Sequence, residues 1–421
     1  MGNEEIKTGL GSTSQQGPAP AVKEEFTAIS VWTSPKTYFL RNKGISKAEA
    51  IKDRTQATKD NPEEDAQQYA AARRSILGEF SSDKMSVCTP CLANAKAASR
   101  KKRLDLVGKN LNCCEKEAKR LREDMDEVEN MVCAKHVYLM NDPSAPPELK
   151  NQPPPGFLSS PSEEELAKMG LSQDMLSPKG SNFRASVYPK DPKVWAPPDP
   201  PDPKYVIAFR GTTAENEDWE NDMMQGGNKT PGYIGPDGNI SKPYYKRAVE
   251  IGEAVSNAKP SPSIHFVGHS LGGGLASAAQ GGSEPPPGDK HRGKGKTAST
   301  YNAAGLNENT VENYGGTGAD PSKIKAIRVK GEVLTKMQEK DLITKHLMPT
   351  AVGVKDDIES AHDKAYYLEH QGKFDKAAAE KGRKKFDADA EYSAYLHGMD
   401  VVIASIEARK KADQEVLEKC N

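Results

Sequence analysis

The chain has 421 residues, room for one moderate domain with large additions or for two domains. Its 60 acidic and 59 basic residues nearly cancel, so no global field draws it to nucleic acid or to anionic membranes, and no nucleic-acid partner is expected. Hydrophobic residues make up only 35%, and no apolar run approaches the roughly 18–20 residues of a membrane span.

Residues 1–25, rich in Gly, Ser, Gln and Pro, read as a flexible lead. They have neither the basic n-region nor the apolar h-region of a secretory signal peptide. Met1-Gly2 does not open a myristoylation motif, because Ile6 fills its Ser/Thr position. Synthesis in the cytoplasm without a signal peptide is therefore expected. Residues 26–140 form a helical N-terminal region. From about 45 to 137, apolar residues recur at threes and fours among good helix formers, which predicts a hairpin or small bundle. Residues 141–180 begin with NDPSAPPELKNQPPPG and read as a semi-rigid linker and lead-in.

From 181 to 421 short apolar strands alternate with helices. FRASVY (183–188) and YVIAFRG (205–211) are strands, PYYKRAVEIGEAVSNA (243–258) is an amphipathic helix, and SIHFVGHS (263–270) is the next strand. ASTYNAAG and KIKAIRVKG supply two more, and the end is one long helix or two short ones. This alternation predicts an α/β fold with a largely parallel central sheet.

Gly268-His269-Ser270-Leu271-Gly272 matches G-x-S-x-G, between a strand and a helix that starts with small residues. In that context the serine occupies a tight turn, its hydroxyl above the sheet, and the helix start offers N–H groups to a developing oxyanion. About 60 residues upstream, YVIAFRGTT is a strand ending in a Gly-Thr turn. With Asp218, Trp219, Asn221 and YNAAG, these motifs resemble the class 3 lipase family of α/β-hydrolases over about residues 183–400. The resemblance implies an oxyanion hole made by Thr212 and the Leu271 N–H.

A nucleophilic serine needs a base, and the base an orienting acid; in this fold the chain order is Ser, Asp or Glu, then His. Glu332, behind the turn that closes KIKAIRVKG, stands where the acid belongs, with Asp341 as the alternate. The resembled lipases carry aspartate there, so the glutamate is a departure with a longer reach. Four of the eight histidines follow Glu332. His362 and His370 lie in a strongly charged helical stretch and read as surface residues. His346 comes early, and His397 stands at a Gly-containing break before an apolar helix.

The segments SEEELAKMGLSQDML, SNFRASVYPKD, LMPTAVG and HGMDVVI also resemble lipase effectors of bacterial type VI secretion systems. That resemblance favours His397 as base, leaving His346 as alternate. It implies a phospholipase or lipase made in the cytoplasm and injected into the periplasm of rival cells. It further implies a phospholipid membrane as substrate, a cognate immunity protein, and a secretion spike or adaptor as docking partner.

Residues 222–247, with Met223, Met224, Tyr233, Ile234, Tyr244 and Tyr245 among glycines, read as a lid or acyl-chain rim, or as a surface insertion. Cys88, Cys91, Cys114 and Cys133 could hold zinc, form disulfides or be inert thiols, and Cys420 is expected to be free. Acyl-ester hydrolysis needs no cofactor, and none is expected. A housekeeping cytoplasmic carboxylesterase and a non-catalytic hydrolase-like binding module are the alternative functions.

Overall fold

The computed structural model describes residues 62–81, 89–140, 147–195, 202–212, 233–234, 240–241, 243–288, 295–307, 309–339, 349–381 and 386–420. One sheet holds six strands: β1 (Ala185–Pro189), β2 (Tyr205–Phe209), β3 (Ile264–His269), β4 (Thr297–Tyr301), β5 (Ile324–Val329) and β6 (Val354–Ile358). They lie side by side in chain order. β1 runs antiparallel to β2, and every later neighbour is parallel. The chain is therefore an α/β fold with a mostly parallel sheet.

β2 is apolar without alternation because both of its faces are covered. Along β2, Ile207 and Phe209 enter one core, while Val206 and Ala208 enter the other. On the first face lie α4 (Tyr244–Asn257) and α5 (Leu271–Ser283), with Val249, Ile251 and Leu275 sharing one core with Phe266. Every residue of α5 is buried, which its small side chains permit by letting neighbouring backbones approach closely.

The second face is covered by helices from both ends of the sequence. α1 (Pro62–Leu77) and α2 (Thr89–Asn110) lead into α3 (Glu115–Met140), which packs beside the C-terminal helix α8 (Met399–Lys419). Met131, Val132 and Val137 of α3 share one core with Val206, Val267 and Ile327 of the sheet and with Val402 and Ile406 of α8. Proline-rich residues 141–156 therefore do not separate two independent bodies. The N-terminal helices supply the apolar cover of one sheet face.

Charged pairs fix the register of these layers. Arg409 of α8 forks onto the buried Asp124 of α3 at 2.7 and 2.8 Å and onto Asp356 of β6 at 2.8 and 2.9 Å. Lys135 of α3 meets Asp400, in the first turn of α8, at 2.9 Å. Pairs this buried are costly to break one partner at a time.

The cysteines depart from expectation in two ways. Cys420 is bonded to Cys114, which ties the far end of α8 to the turn before α3. The suggested zinc set does not assemble: Cys133 is a buried free thiol roughly 28 Å farther along α3 from Cys114, at 1.5 Å per residue. Cys91 also stands in a disulfide, Cys113 is an exposed free thiol, and Cys88 lies outside the described residues. Most of the expected lid at 222–247 is likewise outside them; Tyr233–Ile234 and Ile240–Ser241 pair as a short antiparallel hairpin. Tyr244 and Tyr245 are not rim residues. Both sit buried in the first turn of α4, with the Tyr244 ring 5.6 Å from that of Phe183.

Candidate active site

β3 ends at His269, and Ser270 takes φ 57° and ψ −129° as the residue capping α5. A side chain in that backbone region costs about 1–3 kcal/mol, which the surroundings must hold. They do so by main-chain bonds: Ser270 N–H donates to Tyr301 O at 3.1 Å, and Ala304 N–H donates to Ser270 O at 2.9 Å. The flanking glycines have steric causes. A Cβ on Gly268 would overlap the Gly272 carbonyl, and one on Gly272 would overlap the Phe209 carbonyl. The motif is thus a requirement for strand, turn and helix to meet this closely.

The sheet's carboxyl edge brings the other groups to Ser270. After β5 the chain turns at Gly331, with φ 83°, and delivers Glu332 to the start of α6 (Val333–Glu339). The glutamate is fully buried and caps that helix, accepting from Leu334 N–H at 2.8 Å and from Thr335 N–H. Its Oε2 also accepts from His397 Nδ1–H at 2.8 Å. The opposite ring nitrogen, His397 Nε2, lies 3.0 Å from Ser270 Oγ, placed to accept that hydroxyl's hydrogen. Burial pulls the Glu332 pKa up, but hydrogen bonding and charge from His397, with the bond from Thr335, outweigh it and leave the carboxyl below its ordinary value. An ionised acceptor fixes the imidazole with hydrogen on Nδ1 and a lone pair toward the serine.

His397 follows α7 (Ala388–Tyr395) and precedes α8, so two helices hold its loop. Asn302, just past β4, grips the same loop: its Nδ2 donates to Leu396 O at 3.1 Å and to His397 O at 3.2 Å. Its Oδ1 accepts from Val329 N–H at 2.8 Å, and its own φ is 41°. Sequence reasoning placed Asn302 inside a motif without giving it a task. Its signal was an Asn at a strand end, a residue that tolerates a left-handed turn. His269, beside the serine, has Nε2 2.7 Å from the His397 carbonyl.

Leu271 follows the serine as the first residue of α5, where a helix leaves N–H groups without intrahelical partners. Thr212, partly buried, continues the loop after β2 that lies against this helix start: the point where a Gly211 Cβ would sit is 3.3 Å from Gly272 N. The structure does not bring His362 or His370 to the serine. His362 Nδ1 pairs with the Tyr395 hydroxyl at 2.6 Å, and its ring stacks on Tyr366, which stacks in turn on His370. Asp218, Trp219, Asn221, Asp341 and His346 lie outside the described residues. Among the described residues, the thiols of Cys113, Cys114 and Cys420 are close enough for a metal, but two of them are spent in a disulfide.

A family model for the Tle-like phospholipase domain, a phospholipase-like domain, matches residues 129–366. No curated protein is significantly similar to the chain. The matched span covers more than half of the sequence, starts within α3, and stops before His397.

Proposed function

We propose, from the premise that this chain belongs to the Tle-like phospholipase family, that it cleaves phospholipid acyl esters with Ser270 as nucleophile, His397 as general base and acid, and Glu332 as the orienting carboxylate. The observation that carries this reading is the continuous chain Ser270 Oγ–His397–Glu332, at 3.0 and 2.8 Å, ending on a carboxylate sealed from water. Ser270 Oγ attacks the ester carbonyl carbon while its proton passes to His397 Nε2. The carbonyl oxygen becomes an oxyanion, which the Leu271 and Thr212 N–H groups stabilise. Collapse of the intermediate breaks the ester C–O bond, and the departing lysophospholipid oxygen takes the proton from His397. Water, deprotonated by the same imidazole, then attacks the acyl-serine and releases the fatty acid. The positive φ of Ser270 and the buried carboxylate speak for turnover rather than for a hydrolase-like binding module.

The family also supports a wider role as an antibacterial toxin delivered by type VI secretion into the periplasm of a target cell. There it would meet membrane phospholipid, and the producing cell would need a cognate immunity protein. No helix among the described residues is long and apolar enough to cross a membrane.

The test is mass spectrometry of mixed phospholipid vesicles after incubation with wild-type and Ser270→Ala protein. Fatty acid and lysophospholipid from wild type alone are expected. Intact lipid in both samples, with turnover of a short soluble ester by wild type, would move the assignment to a carboxylesterase.

A further inference from the structure

Tyr138, in the last turn of α3, lies beneath the nucleophile turn. Its hydroxyl is 3.2 Å from His269 Nδ1 and 3.2 Å from the His269 carbonyl, and its ring meets that imidazole edge-on at 6.1 Å. On the other side of the ring, His269 Nε2 lies 2.7 Å from His397 O. A carbonyl can only accept, so Nε2 carries the hydrogen. Nδ1 of the neutral ring is then a lone pair, and it shares the single Tyr138 hydroxyl hydrogen with the His269 carbonyl.

The ring is neutral for a physical reason. Burial, followed by the charge of His397, pushes the His269 pKa well below the ordinary histidine value, and Lys135 works in the same direction. Neutrality also suits turnover. The two imidazole centroids are 4.8 Å apart, and a charged His269 would oppose every protonation of His397.

Gly211, in the AFRGT turn, supplies an independent observation. A Cβ there would run into the Tyr138 hydroxyl and the His269 carbonyl. The oxyanion loop, the elbow and α3 therefore converge on one hydroxyl, and the glycine is what makes room for it.

We infer that Tyr138 and His269 are positioning residues: Tyr138 holds His269 in its Nε2–H form, and His269 holds the His397 carbonyl so that the ring of the base stays aligned on Ser270. This rests on the reading of His397 as the base. Asn302 is a second donor to the same carbonyl, so loss of one grip weakens alignment without abolishing it.

The experiment uses the full chain and a short soluble chromogenic ester, with active sites counted by fluorophosphonate labelling. Tyr138→Phe keeps the ring and is expected to lower kcat per labelled site about fivefold to tenfold, the scale of one neutral hydrogen bond, with KM unchanged. His269→Leu should lose more, and His269→Gln, which keeps a side-chain N–H, should recover part of that loss. Nitrogen-15 NMR of the wild-type histidines should show His269 as the Nε2–H form. Variants within twofold of wild type per active site overturn the inference and leave the proposed function standing. An Nδ1–H form of His269 overturns it regardless of activity. Wild-type protein that neither labels at Ser270 nor turns over overturns the reading of the site itself.

Discussion

Glu332 and His397 are 65 positions apart in sequence and 2.8 Å apart in space, and the carboxylate that meets the imidazole also caps α6. One glutamate therefore does two jobs, standing at a helix start and still reaching the His397 imidazole.

Substitution separates those jobs. Glu332→Gln keeps the length but removes the charge that fixes the imidazole, and kcat should fall by about 10³–10⁴, as for other neutralised triad carboxylates. Glu332→Asp keeps the charge and shortens the reach, so a smaller fall of about 10–100-fold is expected. Steady-state kinetics on a soluble ester reads both. Equal losses would mean that reach, not charge, governs the site.

Two glycine substitutions should change stability with opposite signs. Gly272→Ala would press a methyl into the Phe209 carbonyl and within 3.0 Å of Gly211 N, costing about 1–3 kcal/mol despite the better helix propensity. Gly108→Ala, near the end of α2 with nothing within 4 Å of the new methyl, should gain up to about 1 kcal/mol. Denaturant midpoints compare them directly.

Acid should destabilise the fold through its buried histidines, opposed by the Asp375 carboxyl that burial pushes up to about 6. Burial lowers the His136 pKa to about 4, and His269 is held well below its ordinary 6.5. Below pH 6.5 the unfolded chain binds protons at both positions while the folded chain does not. Unfolding free energy must then fall with pH, until His136 itself protonates near 4. His136 alone predicts a loss of about 2 kcal/mol between pH 7 and pH 5, and His269 acts in the same direction. A flat denaturant midpoint over that window would show that the histidines do not outweigh the opposing Asp375 carboxyl.

The bond between Cys114 and Cys420 closes a loop of 306 positions. Cys420→Ser should cost about 2–5 kcal/mol under non-reducing conditions and leave kcat unaltered at 25 °C. In reductant the difference between variant and wild type should vanish. A thermal scan with and without dithiothreitol checks it.

The sequence carried the parts of the site that depend on local rules. The elbow was readable because a strand, Ser270 between glycines, and a small-residue helix must follow one another for steric reasons. Glu332 was readable because it ends a recognisable strand. Tyr138 was not, because its hydroxyl acquires a role only when α3 is laid on the sheet, and a helical pattern does not say what it covers. The same holds for the pairing of Cys114 with Cys420, where the partners are brought together by α3 and α8 running side by side. Fold class was legible from alternation, whereas the proline-rich stretch suggested a boundary that the shared core erases.

That shared core changes what counts as a removable piece of this protein. The span recognised by similarity, 129–366, begins partway along α3 and ends before α8. A chain trimmed to it would retain Ser270, Glu332 and the end of α3 with Met131, Val132 and Val137, but would lose His397 and the Val402 and Ile406 of α8 that share the core with Val206, Val267 and Ile327. Inheritance and packing thus draw different outlines here: the recognisable segment is smaller than the core in which it is embedded.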